Sequence, residues 1–144
     1  MEFIIKRFEE LTLYELYEIL KVRVSVFVVE QECTYQEVDE KDKNAYHVFV
    51  KDNEVIKAYL RVLDKGISFD EVSIGRVLTT ERGIGLGDKI LEKGIEVARE
   101  KMNADKIRIE AQCYAKGFYE RFGFKQVSDE FLEDGIPHIE MLLE

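Results

Sequence analysis

One proline and two cysteines in 144 residues leave little room for several kinds of protein. Nine glycines bring proline plus glycine to only ten residues, and 46% of the chain is hydrophobic, so the composition is that of a folded globular chain rather than a disordered one. Cys33 and Cys113 lie far apart, with no C-x-x-C and no Cys/His cluster, which argues against structural zinc and implies no disulfide. No apolar run approaches the ~20 residues of a membrane span. The start, Met1-Glu2-Phe3-Ile4-Ile5-Lys6-Arg7, lacks the basic-then-apolar order of a signal peptide, and the cytoplasm is the simplest location. Basic residues are in the minority, 21 Lys+Arg against 30 Asp+Glu, for a net charge of −9. That field speaks against nucleic acid as a partner and would suit a cationic small substrate. The length favours a single domain, 1–144, with one core.

The most informative segment is Val77-Leu78-Thr79-Thr80-Glu81-Arg82-Gly83-Ile84-Gly85-Leu86-Gly87-Asp88. An apolar strand feeds a glycine-rich loop, and an amphipathic stretch from Leu86 to about Met102 follows at once. The first-turn N–H groups of a helix have no internal partners, and the macrodipole favours an anion there. Glycines let the backbone approach a phosphate and adopt positive φ. A Walker loop would close on Gly-Lys-Ser/Thr, whereas this one closes on Gly87-Asp88-Lys89. The spacing Gly83-x-Gly85-x-Gly87 is also wrong for a dinucleotide fold. What remains is R-x-x-G-x-G over Arg82–Gly87, or else a glycine turn without a ligand.

Periodicity supplies the rest. Phe3 to Phe8 reads as a strand, and Thr12-x-x-Glu15 as a capping box opening an amphipathic helix that ends at Val28-Val29-Glu30. Residues 30–45 are acidic and aperiodic, and read as a loop with room for a short helical turn, most simply a solvated surface loop. Tyr46–Val50 and Val55–Leu63 form a hairpin turning at Asp52-Asn53, and Val72–Leu78 is the strand before the glycine loop. The long helix buries Leu86, Ile90, Leu91, Ile95 and Ala98. Lys106–Ala111 is a strand, Tyr114–Phe122 a short helix stopped by Gly123, and Phe124–Val127 and His138–Leu143 are final strands. The order predicts an α/β chain with a mixed sheet, antiparallel first and parallel at the crossover, with helices on both faces.

Gly117-Phe118-Tyr119-Glu120-Arg121-Phe122-Gly123-Phe124 follows the second crossover strand. R-x-x-G-x-G at a helix start, with [F/L]-Y-x-x-x-G-F about thirty residues on, resembles the GNAT superfamily of N-acetyltransferases, whose strand order also matches. Arg23, Phe27-Val28-Val29-Glu30-Gln31, Asp39 and Asp42, Gly75-Arg76-Val77, Ala111-Gln112 and Asp134-Gly135-Ile136-Pro137-His138-Ile139 together look like its ElaA-like branch.

That resemblance implies a GNAT acyl-CoA N-acyltransferase fold and acetyl-CoA as co-substrate, with no metal. The backbone of Gly75, Arg76 and Val77 would pair with the pantetheine arm. Arg82 and the amides of Gly83, Ile84, Gly85, Leu86, Gly87 and Asp88 would take the pyrophosphate, the Asp88 side chain pointing away from it. Gln112 stands where the family often has an Asn that holds the cofactor arm, and Phe118 joins the cofactor-binding set. Tyr119 matches the family's frequent general acid, its other reading being plain core packing.

The attacking amine needs a base, for which Glu110, Glu30, His47 and His138 are candidates, with Glu110 foremost. Arg23 and Glu30 would line the acceptor cleft, with His138, or else pair as a structural salt bridge. The acidic loop at 30–42 would help recruit a cation. Cys113 is a poor candidate for a covalent acyl carrier, and direct transfer in a ternary complex is the better reading. The expected activity is acetylation of a primary amine on a small molecule or peptide. The rivals are a non-catalytic acetyl-CoA sensor and an acetyltransferase of protein N-termini or lysines. A homodimer is left open.

Overall fold

The computed structural model describes residues 1–144. Its strands are β1 (Glu2–Arg7), β2 (Ala45–Asp52), β3 (Val55–Leu63), β4 (Val72–Thr79), β5 (Ile107–Gln112), β6 (Lys125–Gln126), β7 (Phe131–Glu133) and β8 (Ile136–Leu143). The helices are α1 (Leu13–Arg23), α2 (Leu86–Met102) and α3 (Lys116–Glu120). One sheet runs β1-β2-β3-β4-β5-β8-β6, with β7 paired to β8. All pairings are antiparallel except β4 with β5, so the sheet is mixed and turns parallel at the crossover through α2.

Alternation along the central strands sends side chains to two cores. Val48, Val50, Leu60 and Val62 pack with Leu86, Ile90, Leu91 and Val97 of α2. Phe49, Ile56 and Tyr59 point the other way and pack with Ile19 of α1. The helices therefore cover opposite faces. Gly94 brings α2 close to the sheet, because a Cβ there would lie 2.7 Å from Cδ2 of the buried Leu60. Ile95 is only half-buried, and Val97 does the packing expected of it.

Thr12 caps α1 as the sequence implies: its hydroxyl accepts from Glu15 N–H at 3.0 Å, and Glu15 accepts from Thr12 N–H at 2.9 Å. Beyond Arg23 the helix widens into a π-helical stretch, Val24–Glu30. The β2–β3 hairpin turns one residue later than expected, at Asn53-Glu54, both with positive φ. That is the geometry a tight two-residue hairpin loop demands. The short helix after β5 is a 3-10 turn, Cys113–Ala115, leading into α3. β7, unannounced by the sequence, forms a hairpin with β8 through Asp134-Gly135, again both at positive φ.

The acidic loop is solvated only in part, and it holds a short 3-10 turn, Lys41–Asn44. Arg23, fully buried, donates to Glu37 at 2.6 Å and to Asp42 at 2.7 Å. Arg61 of β3 holds Asp39 at 2.7 Å and Asp42 at 2.9 Å, and Arg76 of β4 lies 2.6 Å from Glu37 and 3.3 Å from Asp39. Three guanidinium groups balance three carboxylates beneath the loop. Burial would raise the Asp39 carboxyl, but Arg61 and Arg76 outweigh it and hold the group down at about 2.

Candidate functional site

β4 and β5 pair only at Val72↔Ile107 and Ser73↔Arg108, then part. From Ile74 onward the edge of β4 that faces β5 carries N–H and C=O groups with no strand partner. On its other edge β4 slips register against β3 between Tyr59 and Arg61, so that Arg76 sits in a bulge at φ +53°. The bulge re-aims the backbone at the parting, while the Arg76 side chain is held by Glu37 and lies over the Tyr35 ring at 5.3 Å.

The parting opens into a cavity of about 360 Å³. Gly75, Arg76 and Val77 form one wall, and Glu110, Ala111 and Gln112 form the other. Tyr119, Tyr114, Glu133, Asp134 and His138 close it on the β5 side, and Phe27, Gln31, Tyr35, Asp39 and Lys41 lie across from them. Gln112 donates to Gln31 at 3.2 Å, so the end of the π-helical stretch is tied to β5 across the cavity.

On β5 the apolar Ile107, Ile109 and Ala111 enter the core, which leaves Glu110 and Gln112 on the cavity face. Glu110 is open to the cleft mouth, yet its carboxyl is pushed up to about 7. Desolvation by the cleft walls is the main cause. A hydrogen bond shared with Glu133 and the charges of Glu133 and Glu140 follow, and Lys41 opposes them. A carboxyl that titrates near neutrality is suited to accepting a proton at physiological pH.

Tyr119 packs edge-on against Phe118 and Phe124, with ring centroids at 5.1 and 5.8 Å. It also reaches the cavity, so packing and exposure to the site coexist in one residue. Desolvation, then the neighbouring Tyr114, raise its phenol above the ordinary range, and it stays a protonated donor. His138 turns Nδ1 to the Ile136 carbonyl at 2.7 Å and stacks on Phe131.

The glycine loop runs along the surface beside this cleft. Gly83 and Gly85 have φ of +79° and +75°, and Gly85 is the N-cap of α2. The first backbone bond into the helix is Lys89 N–H to Gly85 C=O at 3.3 Å. The N–H groups of Leu86, Gly87 and Asp88 precede it and point out of the helix end. Asp88 does not stand over that end: it makes a two-pronged pair with Arg121 at 2.9 and 3.1 Å. Arg82 and Ile84 are exposed, and Phe118 lies 3.7 Å from where a Gly87 side chain would begin.

The remaining sequence candidates fall elsewhere. Arg23 is sealed in the ion network, not paired with Glu30, and has no surface to present to the cleft. Glu30 is exposed outside the cavity lining. His47 is fully buried, with Nδ1 2.7 Å from the Tyr59 hydroxyl and Nε2 2.9 Å from the Asp42 carbonyl, and desolvation lowers its pKa. It is a neutral structural histidine. Glu37, Asp39 and Asp42 are committed to arginines, and the loop's other carboxylates, Glu30, Glu32 and Glu40, are exposed outside the cavity lining. Cys113 does not line the cavity, and desolvation and Glu130 raise its thiol. Glu133 and Lys41 are cleft residues that sequence reasoning did not single out. The turn signal Asp134-Gly135 would have located Glu133, one residue before it.

Known proteins share this arrangement. A family model described as an acetyltransferase (GNAT) domain matches residues 15–144. A UPF0039 protein of Schizosaccharomyces pombe is 40% identical over 148 residues, covering 100% of this chain and 97% of its own. Protein ElaA of Escherichia coli is 37% identical over 139 residues, with 94% and 91% covered. Its crystal structure superposes with a TM-score of 0.93 over 100% of both chains. The crystal structure of an acyl-CoA N-acyltransferase from Pseudomonas aeruginosa superposes with a TM-score of 0.94, at 37% identity over 100% of both. The split sheet is thus the GNAT acyl-CoA N-acyltransferase fold, which binds acyl-CoA generally. On the full-length match in sequence and in structure, the chain belongs to the GNAT acetyltransferase family, in its ElaA-like branch.

Proposed function

We propose that this single domain, 1–144, is a cytoplasmic N-acetyltransferase that moves the acetyl group of acetyl-CoA directly to a primary amine. The observation that carries the reading is one cavity reached both by a carboxyl titrating at about 7, Glu110, and by a phenol kept protonated, Tyr119.

The residues present fit the co-substrate. The unpaired edge of β4 at Gly75, Arg76 and Val77 offers strand-like hydrogen bonds to an amide-bearing arm. The helix end at Gly83–Asp88, flanked by Arg82, offers free N–H groups to a pyrophosphate, and the Asp88–Arg121 pair removes the competing carboxylate. Gln112 and Phe118 stand at the two ends of this track. Bound there, acetyl-CoA supplies an acetyl thioester.

Glu110 then takes a proton from the acceptor's ammonium, so the freed lone pair can attack the acetyl carbon. An N–C bond forms as the C–S bond breaks, the Tyr119 hydroxyl hands a proton to the departing sulfur, and the proton the nitrogen sheds as it becomes an amide restores the phenol. Positioning between β4 and β5 supplies much of the remaining rate. The raised Cys113 thiol supports direct transfer over an acyl-enzyme. The test is a calorimetric titration with acetyl-CoA followed by thiol release with a panel of amines. One-to-one micromolar binding with amine-dependent release is expected. Binding with no release for any amine would favour a sensor, and no binding would sink both readings.

A further inference from the structure

Three basic side chains line the cavity, and two of them, Arg61 and Arg76, are consumed by carboxylates. Lys41 is different: its Nζ meets only the Ser68 hydroxyl, at 2.8 Å, and no carboxylate. Beside it, Arg61 is 3% exposed, and its Nε finds no acceptor although the other guanidinium nitrogens do. That nitrogen is sealed from the cavity, which leaves Lys41 of the 31–42 loop and Ser68 of the β3–β4 connection as the accessible donors on this side. The opposite wall holds Glu110 and Glu133. The cleft is therefore dipolar, with the Lys41 ammonium facing carboxyl groups.

We propose that the acceptor is a zwitterion, a small amine that carries its own carboxylate, of the amino-acid class. Its ammonium lies at Glu110 and Glu133, and its carboxylate lies on Lys41 and Ser68. The inference rests on the acetyl-transfer reading and narrows its acceptor. A simple cation would leave Lys41 facing the ligand without a counter-charge. Lys41 is close enough for its charge to act on the Glu110 carboxyl. A cavity of about 360 Å³ also falls at the small end of ligand pockets, in keeping with a compact molecule.

The experiment compares phenylalanine with phenethylamine, and leucine with isopentylamine, in two assays. One is thiol release with acetyl-CoA. The other is calorimetric binding to the full chain saturated with coenzyme A, which needs no turnover. The amino acid of each pair should be favoured by about tenfold or more, the size of a charged hydrogen bond. Lys41→Met should bring the ratio close to one, Lys41→Arg should restore much of it, and Ser68→Ala should lower it partway. Preference for the decarboxylated amine, or a ratio unmoved in Lys41→Met and Ser68→Ala, overturns the proposal. Carboxylate-selective binding lost in Lys41→Met without any thiol release would sustain the acceptor site and remove the transferase. Thiol release from amines in wild type with no carboxylate preference would do the opposite.

Discussion

The acid side of the pH–rate profile tests the role of Glu110. An ordinary carboxylate would be almost fully ionised at pH 6, so a base of that kind would hold its rate there. Glu110, pushed up to about 7, is ionised to only about a tenth at pH 6 and about a hundredth at pH 5. At saturating acetyl-CoA, kcat/KM should then fall about tenfold between pH 7.5 and 6 and about tenfold again by pH 5. The acceptor's ammonium, at ~10, titrates well above this range and sets the other limb. After desolvation, Glu133 is the next cause of the upward shift. Glu133→Gln removes a like charge, so Glu110 ionises more easily, and the limb should move to lower pH. Glu110→Gln should lower kcat/KM by about a hundredfold or more and abolish the limb. The assay is thiol release from pH 5 to 9 with one amine acceptor. A limb that stays in place in Glu133→Gln, or that survives in Glu110→Gln, refutes the assignment.

Tyr119→Phe should lower kcat by about tenfold or more while the calorimetric affinity for acetyl-CoA is unchanged; full activity would remove the hydroxyl from the reaction. Gly85→Val places a β-branched residue at φ +75° and should abolish acetyl-CoA binding in a chain whose circular dichroism is native. Gly87→Ala is expected to be milder, because its Cβ would meet Phe118 at 3.7 Å, an ordinary contact. Arg23→Ala leaves Glu37 and Asp42 buried without their main partner and should cost about 3–5 kcal/mol in urea unfolding; a loss below about 1 kcal/mol would show the network to be dispensable. Asp39 is lowered in the folded chain to about 2. Its contribution is therefore present above the unfolded value of ~3.9 and is lost as pH falls towards the folded one. The urea midpoint should drop between pH 5 and pH 3, and a flat profile would contradict the network's role.

Features set by neighbours in sequence were legible. The capping box at Thr12, the strand–glycine–helix unit at Val77–Asp88 and the alternation that puts Glu110 on the far side from Ile109 all depend on a few adjacent residues. The 31–42 loop was misread because its partners, Arg23, Arg61 and Arg76, arrive from a helix and two strands elsewhere. Composition marks such a loop as acidic and hence solvated, and nothing local reveals the arginines beneath. β7 was missed because three residues are too few to display a period. With it went Glu133, whose effect on Glu110 exists only once the β7–β8 hairpin folds over β5. At Tyr119 local sequence could not decide between packing and a role in the site, and the fold gives the ring both aromatic neighbours and a place in the cavity lining.

The two-rung seam between β4 and β5 has an evolutionary side. Strands β3 and β4 anchor the ion network through Arg61 and Arg76, and β4 with α2 carries the track proposed for the co-substrate. Strands β5–β8 hold Glu110, Glu133 and His138 and meet the β4 ladder at only two positions, while Ile107, Ile109, Ile139 and Met141 pack into the shared core. The turn Asp134-Gly135 is exposed and free of the network. Lineages could therefore retailor the acid wall, by insertion at that turn or by exchange of cleft-facing side chains such as Glu133 and His138, without touching the core residues Ile139 and Met141. Drift in the amine-side wall of the cleft should then concentrate around that turn, while the Lys41 and Ser68 side changes slowly.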